Sequence, residues 1–457
     1  MNEPKAPESE EKESSVPLPG QVELQGVTEA IGRNDIPEAD RRLTALEPFD
    51  KLPPAPRALA MTLRGLILHQ QGKLDEAEAA WKSVTGMEKE VPGQAAAAHF
   101  NVAVLAATRD QLDVAITHWK EATRFAEVAP PLAVAAHMNL GSAHAKANRR
   151  TEAVDEWTKA TKFVDVAPDQ VARAHMNLAD ILRDMNEMQR SVEHYLETTK
   201  FEQQAPDVAA KAHARLGLYA LNADRKEIAQ AHWTAAVRLV PTTPVHFELG
   251  LLALTAGNRD QAKRHWVVAA SQSQVDPVAA AKSHLNLGQL ARDQKALDQT
   301  RAHWKESSEL AWHLLRKGIN ERAVELLEVL RKSSVGEAQV LAELGDKEGA
   351  KSRSEDALED LEDVLGFFQK GLGADSAEVD DLFKLLEGKG PVERALFARP
   401  LANLVAELAR ARVETGPFLG GNETELRAAL EKQVELANRI LRLDPTLPKP
   451  NAEPAQA

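Results

Sequence analysis

Aromatic, small and helix-breaking residues recur along this chain at fixed distances, and the spacing predicts its elements. Large rings form one column, Trp81, Trp119, Trp157, Tyr195, Trp233, Trp266 and Trp304, at steps of 38, 38, 38, 38, 33 and 38 residues. Four residues before each ring stands a small side chain: Ala77, Ala115, Ala153, Ser191, Ala229, Ala262 or Thr300. Positions i and i+4 share a helix face, so each ring has a gap beside it on its own helix. Sixteen residues before each ring comes another small residue, Gly65, Ala103, Gly141, Ala179, Gly217, Gly250 or Gly288. Small groups there let a second helix approach closely. Between the two small columns lie Gly72, Asp110, Asn148, Asn186, Asp224, Gly257 and Lys295. Gly, Asn and Asp tolerate the left-handed backbone that ends a helix, and Lys295 is the least suited of the set. Pro54, Pro92, Pro130, Pro168, Pro206 and Pro277 close the unit, with Pro241 ending the one short copy. Proline is accepted at a helix start but not inside a helix. Each copy therefore reads as helix A, a tight turn, then helix B.

One more step back reaches Val27, Ala39 and Leu43, a degenerate first copy, which gives eight repeats over residues 21–316. Beyond Trp304 the spacing fails. Residues 317–390 read as worn-down, acidic helical repeats, because GINERAVELLEVL and GDKEGAKSRSEDAL still look like a turn followed by a helix B. Residues 391–446 read as a final helical pair, interrupted at Pro400 and split by GPFLGGN. The polar, proline-bearing ends, residues 1–20 and 447–457, are expected to be disordered. The fold class predicted is all-α, a right-handed α-solenoid of helix-turn-helix repeats with a C-terminal helical extension.

Composition narrows the chemistry. At 457 residues the chain is too long for one growing core, which suits a solenoid. It has no cysteine, which removes disulfides, thiol catalysis and thiolate zinc sites together. No apolar leader or 18-residue apolar run is present, so a cytoplasmic protein without membrane contact is expected. The net charge of −13 argues against broad contact with phosphate backbones. Most of that charge sits in residues 335–390, where 15 acids face 6 bases. Such a stretch serves as a polar end cap or docks a basic partner.

Taken together, Leu140-Gly141, Ala153, Trp157 and Pro168 resemble the tetratricopeptide repeat, whose pattern runs aromatic, Leu-Gly, Ala-x3-aromatic, Pro. The repeat here is 38 residues rather than the family's roughly 34, which adds about one helical turn, expected in helix B. Histidine replaces the first aromatic, and the tyrosine of helix A gives way to Leu68, Ala106, His144, Leu182, Ala220, Ala253 and Ala291. The length resembles the extended relatives of the family, whose repeats bind extended peptides.

Histidines fill two columns. His99, His137, His175, His213, His246 and His284 stand on helix A, and His118, His194, His232, His265 and His303 precede the ring on helix B. Ligands of one zinc lie about 2 Å from it, whereas stacked helices are about 8–10 Å apart, so one column cannot converge on an ion. An A-column and a B-column histidine can approach each other. No metal or cofactor is predicted. The columns read as semi-buried packing residues or, alternatively, as a pH-sensitive array. No nucleophile elbow, P-loop or dinucleotide fingerprint occurs, so no catalytic residue is assigned and an enzyme is not expected. Glu359-Asp360 and Glu362-Asp363 lack calcium-loop spacing and read as a solvated face. The aromatics are taken up by packing, which argues against an RNA reader.

The column two residues past each helix A histidine is Asn101, Asn139, Asn177, Arg215, Glu248 and Asn286. Asparagine is a poor helix former, so its recurrence there calls for a reason. The family resemblance implies that this position faces the concave groove, where a row of amides can bond an extended ligand. The plainer reading is that each Asn bonds a neighbouring helix's backbone. Chaperone-binding members of the family grip the two carboxylates of an acidic C-terminus. Asn139, Asn177, Lys211 and Arg215 match four of their five gripping positions, Ala135 stands where the fifth needs lysine, and Arg173 is an extra cation. The candidate groove is thus Asn101, Asn139, Asn177, Arg173, Lys211, Arg215 and Asn286. Its expected function is a non-enzymatic adaptor for a peptide or protein partner, or a regulator whose shape responds to peptide or pH.

Overall fold

A computed structural model describes residues 19–241, 245–317, 323–375 and 378–447. Both expected disordered ends, except Pro19, Gly20 and Leu447, lie outside those residues, as does all of GINER before Ala323. The described residues form helices and no strand. They fall into two compact units, one ending at Leu216 and the other starting at Gly217.

Unit 1 is a stack of antiparallel pairs. They are α1 (Gln21–Gly32) with α2 (Ile36–Thr44), α3 (Pro54–Gln70) with α4 (Leu74–Thr85), α5 (Pro92–Thr108) with α6 (Leu112–Thr123), α7 (Pro130–Lys146) with α8 (Arg150–Ala160), and α9 (Pro168–Asp184) with α10 (Met188–Thr199). The last helix of the unit is α11 (Pro206–Asn222), whose final residues from Gly217 belong to unit 2. Unit 2 continues with α12 (Lys226–Leu239), α13 (His246–Thr255) with α14 (Arg259–Ser271), α15 (Pro277–Asp293) with α16 (Leu297–Arg316), and α17 (Ala323–Glu343) with α18 (Lys347–Leu372). Then come α19 (Val379–Glu387), α20 (Pro391–Leu419) and α21 (Glu423–Leu441).

The columns explain this packing residue by residue. Every ring of the column is at most 5% exposed, and the small residue four before each is fully buried. The N–H of Trp81 donates to the carbonyl of Thr62 at 3.1 Å, Trp157 to Met138 at 3.3 Å, Trp266 to Phe247 at 3.2 Å and Trp304 to Leu285 at 3.1 Å. Each indole can reach that helix A carbonyl only over a bare backbone. A Cβ placed on Gly65, Gly141, Gly250 or Gly288 would stand 2.3–2.4 Å from the indole nitrogen. Where the chain has alanine instead, the bond changes. Opposite Ala103 the Trp119 N–H has no partner, and opposite Ala179 the ring is Tyr195, whose hydroxyl donates to Asp180 at 2.6 Å.

The breaker column adopts the left-handed backbone throughout: φ is 77° at Gly72, 58° at Asp110, 57° at Asn148, 63° at Asn186, 54° at Asp224, 78° at Gly257 and 60° at Lys295. Lys295 shows that register, not residue type, decides the conformation. Asn34 at 61° extends the column back to the first pair, with Val27, Ala39 and Leu43 fully buried around it.

Two expectations are corrected. The additional turn lies in helix A, not helix B: the six proline-initiated A helices are 17 residues long, and their partners in unit 1 are 11 or 12. Proline at the first helical position starts helix A early, and helix B ends before the turns that lead to the next proline. Helix α20 is not interrupted at Pro400, and it runs on through Gly416 and Pro417 to a left-handed cap at Gly420. An internal proline costs ~3 kcal/mol. Burial of Leu401, Leu404, Val405 and Leu408 against α18, α19 and α21 offsets it. In the stretch read as worn-down repeats, α17 and α18 form a ninth pair in the same register, with buried Ala338, Gly345 at φ 86°, then buried Ala350 and Ser354. Ser354 stands in the ring column, which is why the aromatic spacing lost the repeat.

Candidate functional site

Helix A positions two residues past the histidines form a line on α5, α7 and α9, and α5 touches α7 as α7 touches α9. Helices α9 and α11 meet through Ala172 and Val208. Asn101, Asn139 and Asn177 are half-buried on this line. Arg173 lies one turn before Asn177, and Lys211 one turn before Arg215, all three exposed. Among the described residues, none of the three amides makes a side-chain hydrogen bond, and none of the three cations has a carboxylate partner. The plainer reading of the asparagines therefore fails: they do not bond a neighbouring helix's backbone.

Other charges on the same helices are taken up. Asp180 accepts from Tyr195 and, at 3.1 Å, from Arg183, while Lys146 lies 3.1 Å from Asp110. Arg109 reaches Asp75 at 2.8 Å and Glu78 at 2.9 Å. In unit 2 the column is different. Asn286 is again half-buried and without a side-chain bond, but Glu248 replaces one amide. Burial raises the Glu248 carboxyl above its ordinary range, against the pull of Lys282. Lys282 is itself held 2.8 Å from Glu325 and 4.6 Å from the centre of the Phe247 ring.

The histidine columns meet within the helix pairs, across a fixed interval of 19 residues. The Nδ1 atoms of His99 and His118 are 2.9 Å apart, those of His175 and His194 3.0 Å, His246 and His265 3.1 Å, and His284 and His303 3.2 Å. In the pair formed by α7 and α8, Glu156 takes the second place and bonds His137 Nδ1 at 2.7 Å. Burial lowers all eight paired imidazoles, His175 and His284 to about 4, so they do not charge together near the ordinary histidine value. Glu156 behaves oppositely. Burial works against its ionisation, but the bonds from His137 and Lys159 outweigh that and bring its carboxyl down to about 2. Among the described residues no three His, Asp or Glu side chains gather as metal ligands.

The columns do not extend to buried ions in unit 2. Arg331, in an apolar stretch of α17, joins Glu407 and Glu414 of α20, and Arg353 of α18 reaches Glu337 at 2.8 Å and Ser334 at 2.8 Å. A cleft of about 380 Å³ opens beside the second group, lined by Trp312, Asp356, Glu359 and Asp360 among others. A lone Arg within VELLEVLRKSSV was the signal available in the sequence. Both arginines are held by carboxylates, so the networks tie α17, α18 and α20 together. Of the acidic pairs on α18, Asp360 approaches Arg353 at 3.5 Å and Glu362 approaches Arg412 at 2.8 Å.

The tetratricopeptide repeat family profile matches residues 62–125 and 103–163. These are tetratricopeptide repeats. The same ring, small-residue, turn and proline positions carry the tetratricopeptide pattern on both sides of the matched residues. No curated protein matches the chain in sequence. Among solved structures it is similar to MamA, at 19% identity over 38% of this chain and 93% of that one, with a TM-score of 0.30. PilF of Pseudomonas aeruginosa matches at 15% identity over 49% and 92%, with a TM-score of 0.37. The quorum sensor NprR from B. thuringiensis, in its apo form, matches at 14% identity over 75% and 87%, with a TM-score of 0.30. Likenesses at this level say nothing of what this chain binds. No helix among the described residues is long and apolar enough to cross a membrane.

Proposed function

We propose that this tetratricopeptide protein is a non-enzymatic adaptor that holds an extended, acidic peptide segment along the helix A face of α5, α7, α9 and α11. One observation carries the reading: three half-buried amides, Asn101, Asn139 and Asn177, have no protein partner, beside three cations with no protein anion. A half-buried amide left without a hydrogen bond is destabilising unless water or a ligand supplies one. An amide both donates and accepts, which matches the alternating N–H and C=O groups of an extended backbone. Lys211 and Arg215, one turn apart, converge on a single anion, and Arg in such a place favours a carboxylate. A free C-terminus next to an acidic side chain supplies two carboxylates within that reach.

The test is calorimetric titration with acidic peptides that carry a free or an amidated C-terminus. The wild type binds the free form more tightly by about tenfold or more, the scale of one charged hydrogen-bonding group. Asn139→Ala with Asn177→Ala weakens both forms to a similar degree, since these amides bond backbone. Equal binding of free and amidated peptides, with no effect of the asparagine variant, overturns the reading.

A further inference from the structure

The paired histidines are not on the peptide face, and the adaptor reading does not use them. Neutral imidazole carries one N–H and one bare nitrogen. With Nδ1 facing Nδ1 at 2.9–3.2 Å, one ring of each pair must donate and the other accept. Where the far nitrogen has a partner, the direction is set. His246 Nε2 lies 3.3 Å from the Pro241 carbonyl, so it holds the proton there and accepts from His265 at Nδ1.

We propose that His99–His118, His175–His194, His246–His265 and His284–His303 are acid-sensitive latches, closed while the two rings share one Nδ1 proton and opened when each ring carries its own. A first added proton leaves one N–H between the rings but puts a charge into a half-buried interface. The second proton sets N–H against N–H at about 3 Å, and like charges at that distance repel strongly. Glu156 makes the pair of α7 and α8 the exception. A proton added to His137 there creates an ion pair at 2.7 Å, which tightens the contact instead of breaking it.

The groups facing each latch do not rescue it. Around His99 and His118 stand Glu78, Glu88 and Glu121, but also Lys82 and Arg124. Around His175 and His194, Glu193 and Glu197 are countered by Arg190 and Lys200. His265 faces Arg264, and His303 faces Lys263 and Glu306. In every case burial is the largest influence and lowers the proton affinity of the ring. An unfolded histidine takes up its proton near pH 6.5, whereas the folded pair resists it. The latch contribution is therefore complete above about pH 6.5 and is lost as the pH falls towards 4, the value reached by His175 and His284. Because repeat stability is close to a sum of local terms, opening is confined to the latched pairs. Helices α5 with α6, α9 with α10, α13 with α14 and α15 with α16 loosen, and α7 with α8 loosens least. His144 of that pair is also lowered by burial, but it faces Glu152 and Glu156 beside Arg149 and Lys120 and has no partner at Nδ1.

Hydrogen–deuterium exchange of the full chain at pH 7 and pH 4.5, corrected for intrinsic rates, reads this directly. The expected result is loss of protection in α5, α6, α9 and α10 with protection kept in α7 and α8. Two variants sharpen it. His118→Glu with His194→Glu rebuilds two latches in the His137–Glu156 form and moves the acid transition of α5, α6, α9 and α10 down by about one pH unit or more. Glu156→His moves that of α7 and α8 up. If a variant does not fold, the wild-type contrast between α7 with α8 and its neighbours still decides. Uniform loss of protection across all these pairs, or paired imidazoles that titrate at pH 6.5 by nitrogen-15 NMR, overturns the proposal. Neither readout requires a bound peptide.

Discussion

The helix A faces of the two units share one backbone register and differ in chemistry. In unit 1 the column past the histidines presents Asn101, Asn139 and Asn177 with nothing bonded to them, and Arg173, Lys211 and Arg215 stay unpaired. In unit 2 the corresponding line offers Glu248 and Asn286, and its cation, Lys282, is neutralised by Glu325. The rings, small residues and left-handed turns are the same in both. Architecture and the proposed recognition are thus written in different columns. A change in the first set affects both units alike, and a change in the second affects only one.

That separation can be broken by experiment. The largest effect belongs to the architecture: Trp157→Ala in unit 1 and Trp266→Ala in unit 2 each cost about 3–5 kcal/mol locally, as buried aromatics do. Denaturant unfolding followed by segment-resolved exchange checks this, and a loss in only one unit contradicts the shared scaffold. Gly141→Ala comes next. Its Cβ would stand 2.4 Å from the Trp157 nitrogen, and it removes the room that lets the indole reach Met138. Overpacking of this kind costs about 1–3 kcal/mol. The melting temperature of the variant falls accordingly, and an unchanged value means the indole gives up its bond to Met138 without cost, in the unbonded state of the Trp119 N–H beside Ala103. The smallest effect is a gain. Lys295→Gly relieves a lysine held at φ 60° and stabilises unit 2 by about 0.5–1 kcal/mol, read as a higher denaturant midpoint.

Much of the scaffold was readable because solenoid packing forces the same residue type to the same place in every copy. Rings, small residues, turns and prolines all stand where the spacing put them, and even Lys295 follows the register. The ninth pair, α17 with α18, was legible only as a worn-down repeat because Ser354 occupies the ring position and the preceding step stretches beyond 38 residues. The additional turn was assigned to the wrong helix because prolines bound both helices of a repeat and the period does not say which is longer. Pro400 was read as a break because local propensity cannot register the burial of Leu401 and Leu404. Both histidine columns were visible, and so was the approach of an A-column to a B-column ring, but not which partners meet. The interval of 19 residues, and Glu156 standing where a histidine is expected, carried that information. Whether an asparagine is bonded to its neighbours is a matter of geometry that no spacing contains.

The central claim is that recognition resides on the helix A face of unit 1 and not on that of unit 2. Titration of one acidic peptide into wild type, into Lys211→Glu with Arg215→Glu, and into Lys282→Glu tests it most directly. Binding reduced about 100-fold or more by the first variant and unaltered by the second is the predicted result, with circular dichroism unchanged in both. Equal loss in the two variants, or no loss in either, contradicts it.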